Sequence, residues 1–223
     1  MKRFMVIAMG AASLALAGCS SVPGEEVTAQ ASPESPAGII ARAKQLEAVG
    51  QREQAAAVLR VAVARDPGNQ ALRAAYGKSL IGTGALGDAE EVLARAHTPD
   101  NPDPSILVAQ GVVAAQKGDQ ATAQAYFRRA LNLRPGDPGI EANLALSLAM
   151  GGSKQEAEQM ARSAAGSPAA DARVRQTLAM VLSLQGKDAE AEAVYREDLP
   201  PDQAASNVSM LKKMRAPAKG RSA

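Results

Sequence analysis

The chain has 223 residues, with 25 lysines and arginines against 23 acidic residues and a formal net charge of +2. Almost half of it is hydrophobic, yet aromatics make up 2% and tryptophan is absent, a composition that argues against a β-sandwich or barrel and for closely packed helices. The balanced charge gives no global pull towards nucleic acid; one cysteine excludes an intramolecular disulfide, and one histidine, His97, excludes a histidine-rich metal site.

Residues 1–18 begin with Lys2-Arg3 and continue as an uncharged apolar stretch from Phe4 to Ala17, the basic and apolar regions of an export signal. The run is shorter than the roughly 20 apolar residues that a spanning helix needs. Ala15-Leu16-Ala17 has the small-residue spacing of an ordinary signal-peptidase site, whereas Leu16-Ala17-Gly18-Cys19 resembles the bacterial lipobox. That second resemblance implies a diacylglyceryl thioether on the Cys19 sulfur, cleavage before it, and acylation of the new amino group. Cleavage removes Lys2 and Arg3 and leaves acids and bases in equal number. Ser20 stands where an aspartate usually retains lipoproteins at the inner membrane, so the resemblance implies an outer-membrane anchor on the periplasmic side. Two or three acyl chains hold firmly where one gives only marginal residence. Residues 19–35, rich in Ser, Pro, Glu and Gly, read as the lipidated cysteine and a flexible tether.

From Pro36 onward the sequence repeats itself every 34 residues, in windows 36–69, 70–103, 104–137, 138–171 and 172–201, the last one short. The fifteenth position is Gly50, Gly84, Gly118, Gly152 and Gly186; the twentieth is Ala55, Ala89, Ala123, Ala157 and Ala191. Such a period predicts helix–turn–helix units whose glycine ends the first helix (A) and whose alanine lets the second (B) approach closely. Position 8 is also small (Ala43, Gly77, Gly111, Ala145, Ala179), and position 24 supplies bulk (Leu59, Leu93, Phe127, Tyr195), with Ala161 a weak member. Ser35-Pro36, Asp103-Pro104 and Asp137-Pro138 read as N-caps followed by proline at the first helical position. Pro67 and Pro135 are expected to stop helix B in the first and third units. In the fourth unit a short helix B is expected, running into Ala165-Gly166-Ser167-Pro168. A last amphipathic helix over 202–215, apolar through Ala205, Val208 and Leu211, is expected to cap the array, and 216–223 reads as a basic disordered tail.

These columns resemble the tetratricopeptide repeat, most fully in PSILVAQGVVAAQKGDQATAQAYFRRALNLRPGD, residues 104–137. The resemblance implies an all-α solenoid of about five repeats. It lacks the family's preferred tryptophan near position 4, so smaller residues are expected to make that packing. Residues 174–214, with an Arg-Gln-x-Leu-Ala helix, a Leu-Gln-Gly turn, a Glu-Ala-Glu helix and Asp-Leu-Pro-Pro before Ala-Ala-x-Asn-Val, resemble the TadD family of tight-adherence (Flp) pilus assembly lipoproteins. That resemblance implies an assembly factor working with pilus components, the outer-membrane secretin among them. A general cell-envelope lipoprotein acting with peptidoglycan enzymes or outer-membrane protein insertion is the other reading of the same features.

Nothing in the sequence assembles a catalytic, cofactor or metal site. His97, placed on the helix B of the second unit, has no cysteine partner beyond Cys19, and the glycines keep the repeat's period rather than forming a phosphate loop. The expected functional surface is a protein-binding groove along helix A, built from Ile40, Lys44, Glu47, Lys78, Ile81, Val108, Val112, Ala142, Leu146 and Met180. The groove turns apolar in its second half and lacks the lysine–asparagine–arginine clamp of chaperone-docking members. It suits an amphipathic helix or an extended apolar peptide, not nucleic acid or a small substrate.

Overall fold

A computed structural model describes residues 35–98 and 100–215. The chain divides at residue 31, and all of these residues fall in its second body. Cys19, the export signal, most of the tether and the basic tail over 216–223 lie outside the described residues.

Among the described residues, ten helices form five consecutive pairs: α1 (Pro36–Ala48) with α2 (Arg52–Arg65), α3 (Gln70–Thr83) with α4 (Leu86–Ala94), α5 (Pro104–Gln116) with α6 (Gln120–Leu133), α7 (Pro138–Met150) with α8 (Lys154–Ala165), and α9 (Ala172–Leu184) with α10 (Asp188–Tyr195). An eleventh, α11 (Pro201–Arg215), follows. The described residues hold no β-strand, only one isolated bridge between Thr98 and Asn101. None of their helices is long and apolar enough to cross a membrane.

Each A helix begins on a side-chain cap. Ser35 accepts from the Gly38 N–H, Asn69 from Leu72, Asp103 from Ser105 and Ile106, Asp137 from Gly139 and Ile140, and Asp171 from Val174. Each such oxygen satisfies an otherwise unpaired N–H of the first turn. Among the B helices only α6 has a side-chain cap, from Asp119. The others start directly out of a main-chain turn. In all five units the N–H at position 16 donates to the carbonyl at position 11, at 2.8–3.0 Å: Gln51 to Leu46, Ala85 to Leu80, Asp119 to Ala114, Ser153 to Leu148, Lys187 to Leu182. This six-to-one bond needs a left-handed residue between, and the glycine column supplies it with φ from 80° to 94°.

Small and large residues interlock across each pair. A Cβ placed on Gly111 would lie 2.5 Å from Cε1 of Phe127, and one on Gly77 would lie 2.6 Å from Cγ of Leu93. The bulk at position 24 therefore fits only because position 8 recedes. Position 20 is fully buried in every unit, at 0% exposure, the closest approach between neighbouring helices. One continuous core runs through the third to fifth units into α11; smaller ones fill the first unit, join the second unit to α5, and gather Ala142, Ala164 and Val174.

Four expectations change here. Helix α8 has 12 residues and is longer than α4 and α10, which have 9 and 8; Gly166 is its C-cap rather than an early break. His97 lies beyond α4, in the turn before α5, where its Nδ1 accepts the Asp103 N–H at 3.2 Å. The buried face of α11 is Ala204, Val208 and Leu211, while Ala205 is exposed. At position 4, two units carry arginine instead of a packed ring: Arg73 donates to the carbonyls of Arg95 and Pro67, and Arg175 to the Asp198 carboxylate and the Ala170 carbonyl. These guanidiniums fasten the start of helix A to the end of helix B by hydrogen bonds where the family's tryptophan would do it by packing.

Candidate functional site

The A helices present position 9 as a row, one residue per unit: Lys44, Lys78, Val112, Leu146 and Met180. The row changes character along its length. Lys44 is exposed and makes no ion pair or hydrogen bond with the described residues. Lys78 is exposed, and its Nζ donates to Ser105 Oγ at 3.0 Å. Partial desolvation pulls the Lys78 ammonium below the usual lysine range; the Asp103 carboxylate opposes that shift, and the charges of Lys44 and Arg134 add to it. Asp103 keeps its charge facing Lys78 while its Oδ1 caps α5 through the Ser105 and Ile106 N–H groups. Its own carboxyl is held below the usual range by those hydrogen bonds, against the opposing effect of partial burial.

Beyond Lys78 the surface becomes apolar. Val112, Ala115 and Leu146 come together in one cleft of about 310 Å³ between α5 and α7, floored by Phe127 and edged by Gln116, Asn143 and Met150. Met150 is 59% exposed, a flexible thioether side chain at the mouth of an apolar cleft. No acidic or basic side chain lines the cleft. Such a depression accepts one large apolar side chain, while the rim amides of Gln116 and Asn143 offer donors and acceptors to a main chain.

The other expected groove residues divide. Glu47 is exposed, and Ile40, Ile81, Val108 and Met180 are half-buried, each packed against a neighbouring core cluster while keeping some surface. Ala142 does not belong to an open groove: at 4% exposure it is packed with Ala164 and Val174. Its small side chain at position 5 lets α9 settle against α7, and that contact covers it.

Sequence reasoning missed a depression at the open end of the first unit, lined by Ile39, Arg42, Val58, Val61 and Arg65. Val61 is 47% exposed there. The available signal was that α2 has apolar residues on two sides, Leu59 and Ala62 towards the core and Val58 and Val61 away from it. The opposite end is closed. Arg215 donates to both Asp188 carboxylate oxygens, at 3.0 and 2.9 Å, and also to the Ser183 carbonyl. Ser183, fully buried, adds its hydroxyl to Asp188 at 3.1 Å. The hydrogen bonds from Arg215 hold the Asp188 carboxyl below its ordinary range. No group of histidine, cysteine and acidic side chains among the described residues is arranged to hold a metal ion.

The tetratricopeptide repeat family model matches residues 19–167. Among solved structures, TTC0263, a thermophilic TPR protein in Thermus thermophilus, superposes with a TM-score of 0.67 at 18% identity, covering 81% of this chain and 98% of that one. PilW, described as a widely conserved type IV pilus biogenesis factor, gives 0.66 at 19% identity, over 80% of this chain and 84% of its own. YrrB, described as a TPR protein with an unusual peptide-binding site, gives 0.51 at 17%, over 82% and 92%. At these identities the likeness is one of fold. No curated protein matches the chain.

Proposed function

The chain belongs to the tetratricopeptide repeat family, and from that premise we propose a non-enzymatic, lipid-anchored scaffold that holds protein partners during assembly of a tight-adherence (Flp) pilus. The observation that carries the binding role is the apolar cleft of Val112, Ala115 and Leu146, which opens on the helix A face and has no charge of its own. A chain of this fold buries such side chains against its neighbours unless the surface has another use. The place of action rests on Leu16-Ala17-Gly18-Cys19, and the pilus role on the closing motif from residue 174 to residue 214. The fold shared with a type IV pilus biogenesis factor is in keeping with that role.

The mechanism is one of local concentration. Acyl chains on Cys19 confine the repeats to the periplasmic face of the outer membrane, and the tether over 19–35 lets the groove search nearby. A partner already in that membrane, the secretin in this reading, then meets the groove at an effective concentration far above its bulk value. Chemistry on a substrate plays no part; the work is to hold a segment in place while a larger assembly forms.

A photo-crosslinking amino acid at position 112, introduced into cells that make the full-length protein, tests the groove and names its partner in one experiment. The expected product joins the chain to a pilus assembly component, and deletion of the gene removes surface pili while leaving envelope integrity normal. Normal piliation in the deletion strain refutes the pilus role. Crosslinks to peptidoglycan enzymes or to the outer-membrane insertion machinery would assign the protein to general envelope maintenance instead.

A further inference from the structure

The two ends of the array differ. α11 covers the last unit and buries Ala204, Val208 and Leu211, whereas among the described residues no helix lies over the outer side of α1 and α2. A terminal repeat needs a polar outer face when water is all that it meets. The first unit does not have one. Ile39, Val58 and Val61 line a depression of about 470 Å³ between α1 and α2, and Val61 is 47% exposed. Arg42 and Arg65 line it too, one from each helix, both exposed and without an ion pair or hydrogen bond to the described residues. No acidic side chain among the described residues lines it. Asp66, the acid next to Arg65, accepts from the Asn69 amide at 3.0 Å. Exposed valines beside unanswered guanidiniums on long apolar stems suit a lipid interface, where the stems lie along apolar matter and the charges reach the phosphates.

This end is also the one nearest the anchor. Seventeen residues, 19–35, separate Cys19 from Pro36, and at about 3.5 Å per residue they span at most about 60 Å. Ile39 lies in the first turn of α1, so the depression opens close to where that span ends. Acyl chains on Cys19 hold it beside the bilayer at a high effective concentration, where two cations too weak to bind anionic lipid from solution suffice. We infer that the open end of the first unit docks on the anionic phospholipid surface in which Cys19 is anchored, with Arg42 and Arg65 on lipid phosphates and Val58 and Val61 against the upper acyl chains. The inference goes beyond the scaffold reading and rests on its lipid anchor. Its consequence is orientation. The A helices of neighbouring units lie about 10 Å apart, so the cleft of Val112 and Leu146, two units further on, is carried about 20 Å clear of the docked end.

The test replaces the acyl anchor with one that does not depend on Cys19. The full chain lacking only the export signal carries Cys19→Ser and an N-terminal hexahistidine tag, held on vesicles by a small share of nickel-chelating lipid. Ala57→Cys, an exposed position lining the depression, takes a nitrobenzoxadiazole dye and leaves both valines intact. Ser153→Cys, exposed in the fourth unit, is the control. The vesicles are phosphatidylcholine with or without phosphatidylglycerol, and lipid with a doxyl group high on its acyl chain is the quencher. With phosphatidylglycerol present, the dye at 57 should shift to the blue and be quenched, while that at 153 stays in water. Arg42→Gln/Arg65→Gln should weaken docking about 25-fold, some fivefold for each arginine, and high salt should do the same. Circular dichroism checks that the arginine variant stays folded. Equal quenching at 57 on neutral vesicles overturns the inference, as does quenching that survives loss of both arginines, equal quenching at 153, or none at 57. A dye at 57 already out of water before vesicles are added, in a monomer or a dimer, gives the depression to protein and overturns it too. Acylation of Cys19 is scored separately in cells. Its absence removes the anchor and this inference with it, whereas an acylated chain whose first unit stays in water refutes this inference and leaves the scaffold reading standing.

Discussion

Gly111→Ala tests the packing on which the repeat depends, because two effects of opposite sign meet at that position. Alanine is the better helix former by about 1 kcal/mol, so on an open helix face the change would stabilise. Gly111 is not on an open face: the added methyl would lie 2.5, 2.8 and 2.9 Å from three ring atoms of Phe127, whose side chain is 1% exposed. The ring must shift to admit the methyl, and overpacking of that kind costs about 1–3 kcal/mol. The net expectation is destabilisation by about 1 kcal/mol, a fall in the urea midpoint of about 0.5 M at a slope near 2 kcal/mol/M. Gly82→Ala is the control. Gly82 lies within α3, where the nearest atom to a new Cβ is the Arg52 Cδ at 3.8 Å, so its midpoint should rise. Adding Phe127→Leu to Gly111→Ala should recover part of the loss, a coupling of about 0.5–3 kcal/mol in the double-mutant cycle. If Gly111→Ala instead stabilises as Gly82→Ala does, the interlock of positions 8 and 24 is wrong.

Four further predictions concern the C-terminal cap, the pH response, the groove and the anchor. Arg215→Ala removes the guanidinium that joins α11 to Asp188 and Ser183, so limited trypsin digestion should cut within α11 much faster, with the rest of the digestion pattern unchanged; an unchanged rate there means the latch does not hold the cap. The Asp188 and Asp198 carboxyls are held below the ordinary range by hydrogen bonds from Arg215 and Arg175. A depressed folded pKa adds stability above the unfolded value of about 3.9 and loses it as pH falls through the folded value. The urea midpoint should therefore decline below about pH 4, and Asp188→Asn with Asp198→Asn should lower the midpoint at pH 7 and flatten the decline. Val112→Glu with Leu146→Glu should leave helicity intact and abolish partner capture, whereas Cys19→Ser should abolish acyl labelling and release a folded chain from the membrane fraction; acylation that persists in the cysteine variant would overturn the lipobox reading.

Periodicity made the units legible because it reports constraints that recur. A left-handed residue is required after each A helix, and a small residue at each close approach, so Gly50 and its equivalents and Ala55 and its equivalents stand out. What the columns miss is whatever happens once. Arg73 and Arg175 occupy position 4 as solvent-type residues by sequence, yet each reaches to the end of its own helix pair, over 22 and 23 residues, to make its hydrogen bond. Ala142 resembles a groove residue because position 5 faces the same way in every unit; its burial depends on how closely α9 settles on α7, which no single column records. Gly166 misleads about the length of α8, since a glycine can end a helix or merely follow one. In the second unit the early end of α4 leaves nine residues before α5, and His97 falls in that turn. The cleft at Val112 and Leu146 could be read from position 9, but the free amides at its rim come from two different helices and needed the fold.

The bond from position 16 to position 11 is made by main-chain atoms alone, and the glycine between them contributes only by lacking a Cβ. The side chain at position 16 is therefore outside the closure of the turn. The chain itself has sampled that freedom, with Gln51, Ala85, Asp119, Ser153 and Lys187 in the same place. Asp119 also caps α6, Lys187 pairs with Glu158 and Ala85 packs against the core of the second unit, so the turns that tolerate a foreign side chain are those of Gln51 and Ser153, both exposed. They are natural attachment points for a dye or a spin label, rungs of a ruler along the solenoid on which a bound segment's position can be read without disturbing what holds it.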